Sequence, residues 1–116
     1  MYQIVFYTTE RDDSPIDDFL DELDIKARAK VDAYLSLLAE HGPNLKRPYA
    51  DHVRGKVKEL RIHYSSNQYR MLYFFYLKDS IVLLHAFSKK TQQLKAADIE
   101  LAERRMNDWM ERNKGG

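Results

Sequence analysis

Three runs decide the fold: Val57-Lys-Glu-Leu-Arg-Ile-His-Tyr64, Tyr69-Arg-Met-Leu-Tyr-Phe-Phe-Tyr-Leu77 and Ser80-Ile-Val-Leu-Leu-His-Ala-Phe87. They are rich in β-branched and aromatic residues and are separated by turn residues at Ser66-Asn67 and Lys78-Asp79. This pattern predicts three strands, and connections this short predict an antiparallel meander. If both turns are two-residue loops, Arg61 faces Leu72, which faces His85, and His63 faces Arg70, which faces Phe87. Directly opposed residues share a face of the sheet. Arg61, His63, Arg70 and His85 then gather on one side, beside the exit into Lys89-Lys90. The other side carries Leu60, Ile62, Tyr64, Tyr69, Met71, Tyr73, Phe75, Val82, Leu84 and Ala86.

That apolar side calls for helices to cover it, and the upstream sequence supplies them. After a first strand over Tyr2 to Tyr7, Ser14-Pro15 is a helix start, with Ser as N-cap and Pro at the first helical position. Ile16, Phe19, Leu20 and Leu23 follow at helical spacing. Asp24 is placed to cap a longer helix with the stripe Ala27, Val31, Tyr34, Leu35 and Leu38, which Gly42-Pro43 ends. Pro43 to Gly55 reads as a basic loop. A last helix spans Lys95 to Glu111, with Ile99, Ala102, Met106, Trp109 and Met110 on its apolar stripe. The order is βααβββα: an α+β fold with an antiparallel sheet, a helical hairpin on one face and a C-terminal helix. The 116 residues suit one domain over 1–116.

Charge is unevenly spread. Residues 1–40 hold four basic and ten acidic side chains, residues 41–95 eleven and three, and residues 96–116 four and five, so a net charge of +1 hides a segment at +8. Local Lys and Arg density of this kind suits a polyanion. The opposing reading is a solvated basic edge paired with the acidic first third. With no cysteine, thiolate chemistry and disulfides are excluded. No run approaches the length of a membrane span and no signal peptide is evident, so a cytoplasmic location is expected.

Two arginines and two histidines on an otherwise apolar sheet face are costly unless they meet water, carboxylates or an anion. Glu59 is on the same face and can pair with one arginine. Beyond it, residues 41–95 offer only Asp51 and Asp79 as acids. Guanidinium groups left over are suited to gripping phosphate, and a histidine beside that phosphate can move a proton at neutral pH. No Gly-rich phosphate loop is present, and His41, His52, His63 and His85 lack zinc spacing. No metal and no cofactor are expected.

The block from Arg61 to Lys90, with "ELR" ending at Arg61, "YR" at Arg70 and Phe87-Ser-Lys-Lys-Thr91, resembles the RelE/HigB superfamily of toxins, in particular its phage-derived Gp49-like branch. The element order agrees over residues 2–110. The resemblance implies the toxin of a type II toxin-antitoxin pair, acting as a ribosome-dependent mRNA endoribonuclease without metal. It implies Arg61 and Arg70 at the scissile phosphate and Lys89 and Lys90 as the family's lysine pair. With His85, placed by the register alone, the expected catalytic residues are Arg61, Arg70, His85 and Lys89; Lys90 is joined as an RNA contact by His63 from the register and by Lys46, Arg47, Arg54 and Lys56 from the basic segment. The resemblance also implies an antitoxin partner of helix-turn-helix type, with the ribosome and mRNA as further partners, DNA met only through the antitoxin, and no membrane. The alternative is a noncatalytic RNA- or protein-binding module on the same fold.

Overall fold

The computed structural model describes residues 1–89 and 93–114. Its elements are β1 (Gln3–Phe6), α1 (Pro15–Asp21), α2 (Ile25–His41), β2 (Ala50–Arg54), β3 (Val57–Tyr64), β4 (Asn67–Tyr76), β5 (Ser80–Ser88) and α3 (Ala96–Arg112). Ser14 Oγ accepts from the Asp17 amide and Asp24 Oδ1 from that of Ala27, so both helix starts are capped by the residues whose chemistry suits the task. Gly42 ends α2 at φ 53°, where a Cβ would fall 2.2 Å from the Tyr2 ring. Only glycine meets both demands. The Tyr2 amide donates to the Ala39 carbonyl at 2.8 Å and fixes the start of β1 against the end of α2.

The sheet order is β1-β5-β4-β3-β2. β1 joins β5 in parallel, while the other pairs are antiparallel. The helical hairpin covers one face: Ile16, Leu20, Val31 and Leu38 pack on Leu60, Ile62, Met71, Tyr73, Ile81 and Leu83. On the other face, Ala102 and Met106 of α3, with Trp109 beside them, pack on Val57, Leu72, Phe74, Val82 and Leu84. Each such aliphatic side chain, fully buried, contributes about 1.5–3 kcal/mol over its exposed state, so two layers hold the sheet from both sides. Among the described residues no helix is long and apolar enough to cross a membrane.

Three expectations from the sequence need correction. First, the stretch read as loop contains β2, an edge strand pairing Asp51 with Glu59 and His52 with Lys58. Only Ala50 and Val53 are apolar in it, because an edge strand with solvent on its flank needs no apolar alternation. Second, the first hairpin turns at Ser65-Ser66 and not Ser66-Asn67, so Tyr64 pairs with Asn67 and Arg61 lies opposite Arg70. Ser65 takes the left-handed conformation this tight turn requires, at φ 55°. The slip amounts to two positions, an even number, and every β3 side chain therefore stays on its expected face. Third, the second loop has three residues, Leu77 to Asp79, and a bulge interrupts β5 between Leu83 and His85. Val82 and Leu84 consequently face α3 rather than the hairpin, while Ile81 and Leu83 replace them in the hairpin core.

Leu77 holds φ 57° while 77% exposed. A γ-branched side chain is strained there without gaining burial, whereas asparagine tolerates this region. Leu77→Asn should therefore raise the unfolding free energy by about 1 kcal/mol, read as an increased urea midpoint at unchanged slope.

Candidate functional site

β3 and β4 build the site. On the α3 side of the sheet, Glu59 and Arg61 alternate along β3, Arg70 lies directly across from Arg61, and Asp51 lies across from Glu59 on β2. Glu59 Oε1 accepts from the Nε of both arginines, at 2.9 Å each. Arg61 also donates through Nη2 to Asp51 Oδ2 at 3.0 Å, and the same oxygen accepts from Arg47 Nε at 2.9 Å. The result is a chain of alternating charge, Arg47–Asp51–Arg61–Glu59–Arg70, running from the edge of the sheet to its middle.

Lys89 joins that chain from the end of β5, its amide donating to the Gln68 carbonyl at 2.8 Å. The residue is 8% exposed and its ammonium makes no hydrogen bond among the described residues. Burial, then the nearby Arg70 and Arg61, push its pKa below the ordinary value, against the pull of Glu59. Four cations thus face two carboxylates, Asp51 and Glu59, among the described residues of the cluster. The surplus is positive and one member is an unsatisfied donor, the kind of buried group that calls for an explanation.

The two arginines differ in access. Arg61 is 30% exposed at its side chain and, with Nε and Nη2 engaged, keeps Nη1 for an incoming acceptor. Arg70 is 4% exposed. Its Nε serves Glu59 and its Nη1 reaches the Tyr69 carbonyl at 3.5 Å. Burial holds its pKa below the usual arginine value, with Glu59 opposing the shift, though a guanidinium stays charged.

His85 shares this face, diagonal to Arg70, since Leu72 lies across from it and Phe87 across from Arg70. Its Nε2 donates to Asp98 Oδ1 in the first turn of α3 at 2.8 Å, and its ring lies on Phe87. A carboxylate only accepts, so Nδ1 is the ring atom left as a base. Burial, with a smaller push from Arg105, lowers the pKa from 6.5 despite Asp98, so the ring is neutral at pH 7. A histidine neutral in the fold takes up its proton later than in the unfolded chain, so stability falls as pH drops through 6.5 and levels off below the folded pKa. Denaturant titrations at pH 7.5 and 5.5 should show His85→Gln losing less stability over this interval than the wild type; an equal loss would contradict the assignment.

The remaining expected contacts scatter. Arg54 binds Glu103 of α3 through two hydrogen bonds, at 2.6 and 3.1 Å, and so ties β2 to α3. Lys56 is exposed in the β2–β3 turn, and His63 is exposed at the end of β3 opposite Gln68. Lys46 and Arg47 are exposed in the loop before β2. Lys90 lies outside the described residues. The sequence does not reveal Asp51, because β2 reads as loop, nor Asp98 as the partner of His85; helix numbering alone does not say which first-turn acid meets a strand. Nor does it reveal Arg105, whose Nη1 donates at 2.8 Å to the carbonyl of the bulged Leu84.

No curated protein matches the chain. The family model described as "Phage derived protein Gp49-like (DUF891)" matches residues 18–107. That stretch contains β2 to β5 and every member of the cluster, and on this match the chain belongs to the Gp49-like family of phage-derived proteins.

Proposed function

We propose that this protein is the toxin of a type II toxin-antitoxin pair and cleaves ribosome-bound mRNA without a metal. The observation that carries this reading is the surplus of positive charge at Arg61, Arg70 and Lys89 around Glu59, with the Lys89 ammonium unpartnered among the described residues. In the proposed reaction the ribose 2′-hydroxyl loses its proton and its oxygen attacks the adjacent phosphorus. The bond to the 5′-oxygen then breaks and that oxygen takes up a proton, leaving a 2′,3′-cyclic phosphate and a 5′-hydroxyl.

Each residue has a role that follows from its access and protonation. Arg61, through Nη1, contacts a nonbridging oxygen, where negative charge grows in the transition state. Arg70 lies beneath, supplies its charge from a site shielded from water, and with Glu59 fixes the angle of Arg61. His85, neutral and basic at Nδ1, accepts the 2′-hydroxyl proton. Lys89, a donor with a lowered pKa, delivers a proton to the departing 5′-oxygen. Lys46, Lys56, His63 and Lys90 are left as sites for flanking phosphates or ribosomal RNA, while Arg54 is held by Glu103, and the antitoxin is expected to mask this basic face.

Induced expression tests the reading. It should halt incorporation of labelled methionine within minutes and leave cut transcripts on ribosomes. Harmless expression with intact transcripts would leave a binding module without catalysis.

A further inference from the structure

Around the edge of the sheet from the arginine cluster, a cleft of about 440 Å³ opens between β2 and the loop that follows α2. Its rim carries Lys46, Arg47, His52 and Lys58, and Leu45 and Phe75 give it apolar surface. Lys46 and Lys58 have no hydrogen-bond or ion-pair partner among the described residues. His52 spends Nε2 on the Gly55 carbonyl at 2.9 Å, which leaves Nδ1 for a ligand. The volume falls in the range of small-molecule sites, about 300–1,000 Å³, and so does the mixture of apolar surface with a few polar groups.

The cleft is also wired to the cluster. Asp51 lines it and accepts from Arg47, also on its wall, at 2.9 Å; the same oxygen accepts from Arg61 at 3.0 Å. Three cations and an imidazole beside an apolar surface, one carboxylate away from a phosphate site, match the parts of a nucleotide: phosphate on the rim and base against the wall. We propose that the cleft holds the nucleoside monophosphate unit of the RNA strand next to the cleaved phosphate, and that nucleotide preference is set here. The proposal rests on the RNA-cleaving reading for its biology but not for its test. Lys46, Arg47 and Lys58 hold the phosphate, which any RNA offers equally. Selection among bases comes from the fit against Leu45 and Phe75 and from the hydrogen bonds offered by His52 and Asp51.

The test is a titration of the isotope-labelled full chain, followed by amide NMR, with each of the four 5′-nucleoside monophosphates and with inorganic phosphate at matched ionic strength. At least one nucleotide should saturate shifts at residues 45–52, 58 and 75 and bind ten times more tightly than phosphate. Lys58→Ala should weaken that binding at least fivefold, whereas Lys26→Ala, in the first turn of α2 at the opposite end of that helix from Gly42, should leave it unchanged. Equal binding of all four nucleotides and phosphate, shifts centred elsewhere, or an acidic peptide that binds the cleft more tightly than any nucleotide would overturn the proposal. The titration needs neither ribosome nor turnover. Nucleotide binding by a protein that cuts no mRNA therefore sinks only the enzyme reading, and active cleavage without nucleotide binding sinks only the cleft.

Discussion

Arg61→Ala is expected to lower the rate of mRNA cleavage by about 10²–10³-fold, the range seen when one preorganised donor is removed from a developing oxyanion. The fold should tolerate the change. The side chain is 30% exposed, and its loss leaves Glu59 paired with Arg70, and Asp51 with Arg47. A circular dichroism melt close to wild type together with a collapsed rate would therefore locate the defect in the chemistry. Arg61→Lys should recover only part of the rate, because an ammonium cannot hold Glu59 and Asp51 through two nitrogens in a fixed fork while presenting a third to phosphate. Full activity in Arg61→Ala would remove this residue from the reaction.

Glu59→Ala has the largest expected effect on stability. It removes the carboxylate that both arginines share and leaves Arg70, 4% exposed, as a buried cation near Arg61 and Lys89. Removing one partner of a buried pair costs about 3–5 kcal/mol, because the remaining charge has lost both its water and its counter-ion. Glu59→Gln retains an acceptor for one or both Nε atoms and should lose less, and the double variant Glu59→Leu/Arg70→Met should recover much of the loss by removing the stranded charge. Urea unfolding of the three variants checks the order. If Glu59→Ala and the double variant are equally destabilised, the coupling between Glu59 and Arg70 is not the cause.

How far the sequence carried the account depends on which residues speak through periodicity. Ser14, Asp24 and Gly42 announce the helix ends because capping and left-handed backbone select a few residue types, and the structure has each where its chemistry suggests. The common face of Arg61, Arg70 and His85 was legible for a subtler reason. The sequence puts the first turn one residue late, which shifts the strand pairing by two, an even number that preserves side-chain direction. The second loop is one residue longer than expected, and the bulge at Leu84 restores the expected pairing of Leu72 with His85. Between the loop and that bulge nothing compensates, so the sequence puts Val82 and Leu84 in the wrong layer. Bulges leave no mark in an apolar run such as Ile81 to Leu84, where both faces of the strand are buried. β2 was hidden for the opposite reason, an edge strand too polar to alternate. Its loss concealed Asp51, the carboxylate on which the link between cluster and cleft depends.

The most direct measurement is the end chemistry of mRNA recovered from ribosomes incubated with the purified protein. Attack by the 2′-hydroxyl predicts new fragments with 5′-hydroxyl ends, ligatable only after enzymatic phosphorylation, formed by wild-type protein and nearly absent with Arg61→Ala. Uncut mRNA, or fragments bearing 5′-phosphates, would contradict the account.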